Sequence, residues 1–119
     1  MSIFTPLVDA FKYLFQSAKG KYSLETYLDI LSEFTDEVIL DAKKENLSYI
    51  GGKAVFSINE KSNTVNIKME LEFKKPDRNW VVKKAERNLD MSDFTEESLL
   101  KIKSMGEMVF QINSPDEVE

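Results

Sequence analysis

The chain has no cysteine and no histidine in 119 residues. Without cysteine there is neither a disulfide framework nor a thiolate zinc site, the usage expected in a reducing compartment. Without histidine the commonest general acid-base and metal-ligating side chain is missing, and neither a Ser-His-Asp nor a Cys-His nucleophile can be assembled. Long apolar runs are missing too. The longest span three residues, as in Val38-Ile39-Leu40, against about 20 needed to cross a bilayer. The first 20 residues carry Asp9 and Lys12 within their apolar face and have no basic leader, so they do not read as a signal peptide. Positive charge is outweighed: the net charge of −5 argues against general nucleic-acid binding, whose footprint is a basic domain. The expectation is a cytoplasmic protein with no nucleic-acid partner, no membrane partner and no cofactor.

What is present is the composition of one ordered domain. With 42% hydrophobic and 31% charged residues, the chain lies far from the low-hydrophobicity range of disordered sequences and is long enough to bury a core. A single domain is expected over residues 1–113, with an acidic flexible tail at 114–119.

Periodicity supplies the elements. Thr5-Pro6 reads as a cap followed by proline at the first helical position, and Leu7, Val8, Phe11, Leu14, Phe15 and Ala18 keep helical spacing up to Gly20. Ser23 caps a second stretch, in which Leu24, Tyr27, Leu28, Leu31, Phe34, Val38 and Ala42 share one face. Thr35-Asp36 could cap a separate segment there, so one helix or two fit residues 24–46.

At Gly51-Gly52 the period changes to two. Val65, Ile67, Met69, Leu71 and Phe73 alternate with Asn66, Lys68, Glu70 and Glu72, the pattern of a strand with one wet face. A preceding strand at 53–59 joins it through the turn at 60–63, and a third strand is expected over 79–88, with a capped helix there as the competing reading. Thr95 and Gly106 bracket a further helix, and Met108, Phe110 and Ile112 mark a short last strand. The predicted fold is α+β: two N-terminal helices packed on one face of an antiparallel sheet of about four strands, with a further helix before the last strand. Phe11, Phe15, Leu28, Leu31, Ile67, Leu71 and Phe73 are the expected core.

The residues that could carry chemistry are few. Glu70 and Glu72 lie on one strand face about 7 Å apart, near the spacing of a retaining glycosidase pair, but on a wet strand they read as a solubilising face. The stretch at 51–54 lacks the first glycine and the terminal Ser or Thr of a phosphate loop and reads as a turn into a strand. Met91, Met105 and Met108 read as core filler. No enzyme is expected.

One stretch stands apart. Residues 73–87 hold the only tryptophan, both arginines and four lysines of a chain that is otherwise acidic. As a hairpin, its proline and lysines are what a sheet uses to blunt an edge. As a surface, arginine and tryptophan are the side chains enriched at binding hot spots. The candidate partner-binding residues are Lys74, Lys75, Arg78, Trp80, Lys83, Lys84 and Arg87. The expected function is a small protein-interaction module, an adaptor or regulator, whose partner is another protein. A second copy of the chain is the first to test, because residues 24–46 carry seven acids. The alternative is a small-ligand-binding domain with a pocket between sheet and helices, using Tyr13, Tyr22, Tyr27 or Tyr49 at its mouth.

Overall fold

The structure, a computed structural model, describes residues 21–112. The helix expected over 5–19, with Phe11, Phe15 and Tyr13, and the tail expected at 114–119 lie outside the described residues.

Helix α1, Leu24–Lys44, begins where the sequence caps it: the Ser23 hydroxyl accepts the Thr26 amide at 3.2 Å. It runs unbroken through Thr35. That residue is not a cap; its hydroxyl is buried and donates back to the Leu31 carbonyl at 2.8 Å, so one helix forms instead of two. Asn46, with φ 62°, ends it, while the Leu47 amide bonds Ala42 and the Asn46 amide bonds Lys43. Asparagine is one of the few residues that enter the left-handed region readily, and this pairing of amides closes a helix C-terminus.

Four antiparallel strands follow: β1 (Ser48–Asn59), β2 (Thr64–Lys74), β3 (Trp80–Asp90) and β4 (Glu107–Ile112), in the spatial order β3-β2-β1-β4. Helix α2, Glu96–Met105, carries the chain from one edge of the sheet to the other. The fold is therefore α+β with one four-stranded antiparallel sheet, and one described helix precedes it where two were expected.

The first strand starts earlier than its glycines suggested. Gly51 and Gly52 lie within β1, next to a bulge between Tyr49 and Gly51. The reason is close approach: a Cβ on Gly52 would lie 2.6 Å from the Glu70 carbonyl oxygen and 2.7 Å from both the Leu71 side chain and the Tyr49 hydroxyl. Tyr49 leans across that site and donates to the Ile112 carbonyl at 2.6 Å, tying β4 to the bulged strand.

One face of the sheet carries the core. Phe56, Val65, Ile67, Met69, Leu71 and Phe73 are fully buried against Tyr27, Leu31, Phe94 and Ile102. Of the expected core, Leu31, Ile67, Leu71 and Phe73 are in place, and Leu28 is half-buried at its margin. Ser98 joins the two helix starts: its buried hydroxyl accepts the Leu24 amide at 2.8 Å and contacts the Thr95 hydroxyl at 2.9 Å.

Candidate partner interface

The 73–87 stretch is a hairpin end followed by a strand. The Arg78 amide bonds the Lys75 carbonyl at 3.0 Å, with Pro76 second in the turn, and the Asp77 carboxylate accepts the Asn79 amide at 3.0 Å. This is sound turn chemistry at every position but one. Arg78 has φ 70°, a left-handed conformation that costs a residue other than glycine or asparagine about 1 kcal/mol. The other described non-glycine residues with positive φ are Asn46 and Asn63. The turn alone does not call for an arginine there.

β3 follows and confirms strand over helix. Its alternation divides the seven candidate residues. Trp80 and Lys84 lie on the open face of the sheet with Lys74, whereas Lys83 and Arg87 point to the helix side and are half-buried. Lys75 and Arg78 occupy the exposed turn. The candidates on the strands therefore fall on opposite faces, and the other two lie in the turn. Lys74, Trp80 and Lys84 share the open side with exposed Val82, and Lys75 and Arg78 sit in the exposed turn at its end. The six acids of α1 and Glu45 just after it are all exposed, on the layer opposite this face.

β3 is also an edge strand, and its hydrogen-bond phase can be read from its two ends. Lys75 bonds Asn79 before it, and Met91 bonds Asn63 after it. In an antiparallel ladder bonded pairs alternate with non-bonded ones. With the observed register, Val81, Lys83, Ala85, Arg87 and Leu89 turn their amides and carbonyls to β2. Trp80, Val82, Lys84, Glu86, Asn88 and Asp90 turn theirs outward, and no hydrogen bond reaches those outward groups from any described residue. Eleven residues long, without bulge or proline, this edge offers a row of donors and acceptors that no described residue pairs.

The open face beside it is polar and laced. Glu70 lies 3.6 Å from Lys84 and 3.7 Å from Lys53, and the Asn66 amide donates to Glu86 at 2.8 Å and to Asn88 at 2.9 Å. Glu70 is thus engaged by two lysines. A shallow, open depression of about 840 Å³ lies at the far end, over Ser57, Asn66, Lys68, Glu86 and Asn88. At the end of β3, the Asp90 carboxylate accepts the Ser92 amide at 2.9 Å, which holds its pKa below the usual value.

Of the tyrosines named for a ligand pocket, the three among the described residues, Tyr22, Tyr27 and Tyr49, have structural contacts. Tyr27 stacks on Phe94 at 4.3 Å and donates to the Asp93 carbonyl at 2.6 Å, and burial with the nearby Asp93 charge pushes its pKa up to about 12. Tyr49 is tied to Ile112, and Tyr22 forms a short bridge to Phe94. Met91 and Met108 pack at the core margin and Met105 is exposed. Val82 and Glu86 were missed as site residues because alternation reveals the two faces of a strand but not whether it lies at an edge. No helix among the described residues is long and apolar enough to cross a membrane.

No protein family, curated protein or solved structure matches this chain.

Proposed function

We propose that the chain is a small protein-interaction module without catalytic activity, which engages another protein through the β3 edge and the basic hairpin end beside it. The observation that carries this reading is the open edge itself. Sheets blunt their edges with proline, bulges, short strands or charge; over its 11 residues β3 has no proline and no bulge, and of these devices it carries only charge, at Lys84 and Glu86 on its open face. A strand added there would gain main-chain hydrogen bonds, and its side chains would meet Trp80, Val82 and Lys84 on the open face, the arrangement used in recognition by strand addition. The half-exposed Trp80 and the arginine held at a strained turn position add contact area and charge at one end of the same edge.

Two variants test it. Val82→Pro removes an outward-facing N–H, so no ladder bond to β2 is lost, and proline is tolerated at such edge positions. The triple reversal Lys74→Glu, Lys75→Glu, Arg78→Glu alters exposed side chains only. Used as baits in the native host's extract, both should lose a protein that the wild type retains. Retention of the same proteins by both variants would overturn the reading.

A further inference from the structure

We infer that the partner of the β3 edge is the β3 edge of a second copy, paired antiparallel about a two-fold axis at Ala85. This rests on the interaction reading above and names its partner. Residues 80–90 are centred on position 85, so this register alone overlaps the two strands along their whole length. It is also one of the registers the hydrogen-bond phase permits: the outward-facing residues meet in pairs, Trp80 with Asp90, Val82 with Asn88 and Lys84 with Glu86. About a dozen main-chain hydrogen bonds become possible, two per facing pair. The result is one continuous eight-stranded sheet.

Charge selects this register over its neighbours. Around Ala85, each Lys84 faces a Glu86, and symmetry makes that favourable pair twice. A shift of the axis to position 84 sets Lys84 against its own copy, and a shift to 86 does the same to Glu86. On the helix side Val81 meets Leu89 and Ala85 meets Ala85. Lys83 comes opposite Arg87 on the same side. Beyond the strand ends, the hairpin with Lys75 and Arg78 approaches the other copy's corner at Met91–Asp93, where Asp90 and Asp93 supply the opposite charge. The basic end of the edge thus finds its complement at the acidic end of the same edge. Such a contact closes on itself as a dimer by symmetry, which head-to-tail pairing of the hairpin with the acidic face of α1 does not in itself require.

Sedimentation from about 1 to about 500 µM at low salt should show a concentration-dependent dimer, a range that brackets a micromolar association. Lys84→Glu and Glu86→Lys alone should each weaken it about tenfold or more, since each turns two attractive pairs into repulsive ones. An equimolar mixture of the two variants should recover dimer, because each strand then faces the opposite charge at both positions. The chain has no native cysteine, so Ala85→Cys should oxidise to a disulfide dimer while Asn88→Cys should not, its own copy lying about 20 Å away along the strand. A monomer at all concentrations, a dimer indifferent to Lys84→Glu, or cross-linking at position 88 in place of 85 would overturn the inference. If the chain is a monomer yet captures a foreign protein that Val82→Pro loses, the inference fails and the interaction reading stands. If Val82→Pro and the triple reversal leave the dimer intact and also retain every captured protein, both fail.

Discussion

Gly51 and Gly52 are sequence neighbours with opposite tolerances. A methyl group at Gly51 meets nothing within 4 Å, whereas one at Gly52 meets the Glu70 carbonyl at 2.6 Å and Leu71 and Tyr49 at 2.7 Å. Neither glycine has positive φ, so the difference is steric and not conformational. The Glu70 oxygen belongs to β2 and cannot retreat without opening the ladder. Tyr49 can move, but only by giving up its hydrogen bond to Ile112 and its edge contact with Phe73 at 5.5 Å. Overpacking of this kind costs about 1–3 kcal/mol, and the hydrogen bond adds about 1 kcal/mol. Gly52→Ala should therefore destabilise by about 3 kcal/mol, a drop of about 15 °C in Tm for a domain of this size. Gly51→Ala should lie within about 0.5 kcal/mol of wild type, or on the stabilising side. Urea unfolding followed by circular dichroism compares the two directly. Equal midpoints for the two variants would refute the close-approach account of β1.

Other expectations follow from single contacts. Ser98→Ala leaves the buried Leu24 amide without its acceptor and should cost about 2 kcal/mol; a loss under 0.5 kcal/mol in urea unfolding would show that the two helix starts are not coupled through it. Arg78→Gly relieves a φ of 70° and should leave stability unchanged or raise it by up to about 0.5 kcal/mol net of glycine's own entropy cost, while weakening self-association in sedimentation. Destabilisation instead would mean the turn is not strained. Tyr27 holds its proton up to about pH 12 when folded, against an ordinary value of 10. The unfolded chain releases that proton first, so stability is unaffected below about pH 10 and falls by an amount on the order of 2 kcal/mol as pH rises from 10 to 12. Thermal melts from pH 9 upward should show the decline, and Tyr27→Phe should lessen it; an identical slope in the variant would remove Tyr27 as its cause.

The elements were legible wherever one face is wet. Strict alternation from Val65 to Phe73 marked β2, and Ser23 and Thr95 marked the starts of α1 and α2, because capping and pleat are local chemistry. The glycines misled, since Gly52 answers to Tyr49 and Leu71 across the strand pair and not to its own backbone. Thr35 looked like a cap because its hydroxyl can satisfy either an amide ahead or a carbonyl behind, and burial decided for Leu31. The candidate site was half legible. Composition singled out residues 73–87, but alternation of the strand sends Lys83 and Arg87 to the face opposite Trp80 and Lys84. That β3 lies at the edge, and which of its amides face outward, depends on strand order and register, which no local pattern carries.

Amide exchange along β3 at two protein concentrations tests the open edge and its partner together. In dilute solution the amides of Val82, Lys84, Glu86 and Asn88 should exchange fast, while those of Val81, Lys83, Ala85 and Arg87, bonded to β2, stay protected. Raising the concentration should slow the first set and leave the second unchanged. Equal protection of both sets in dilute solution would mean that the edge is already covered within the chain, and the account of β3 as a docking strand would fall.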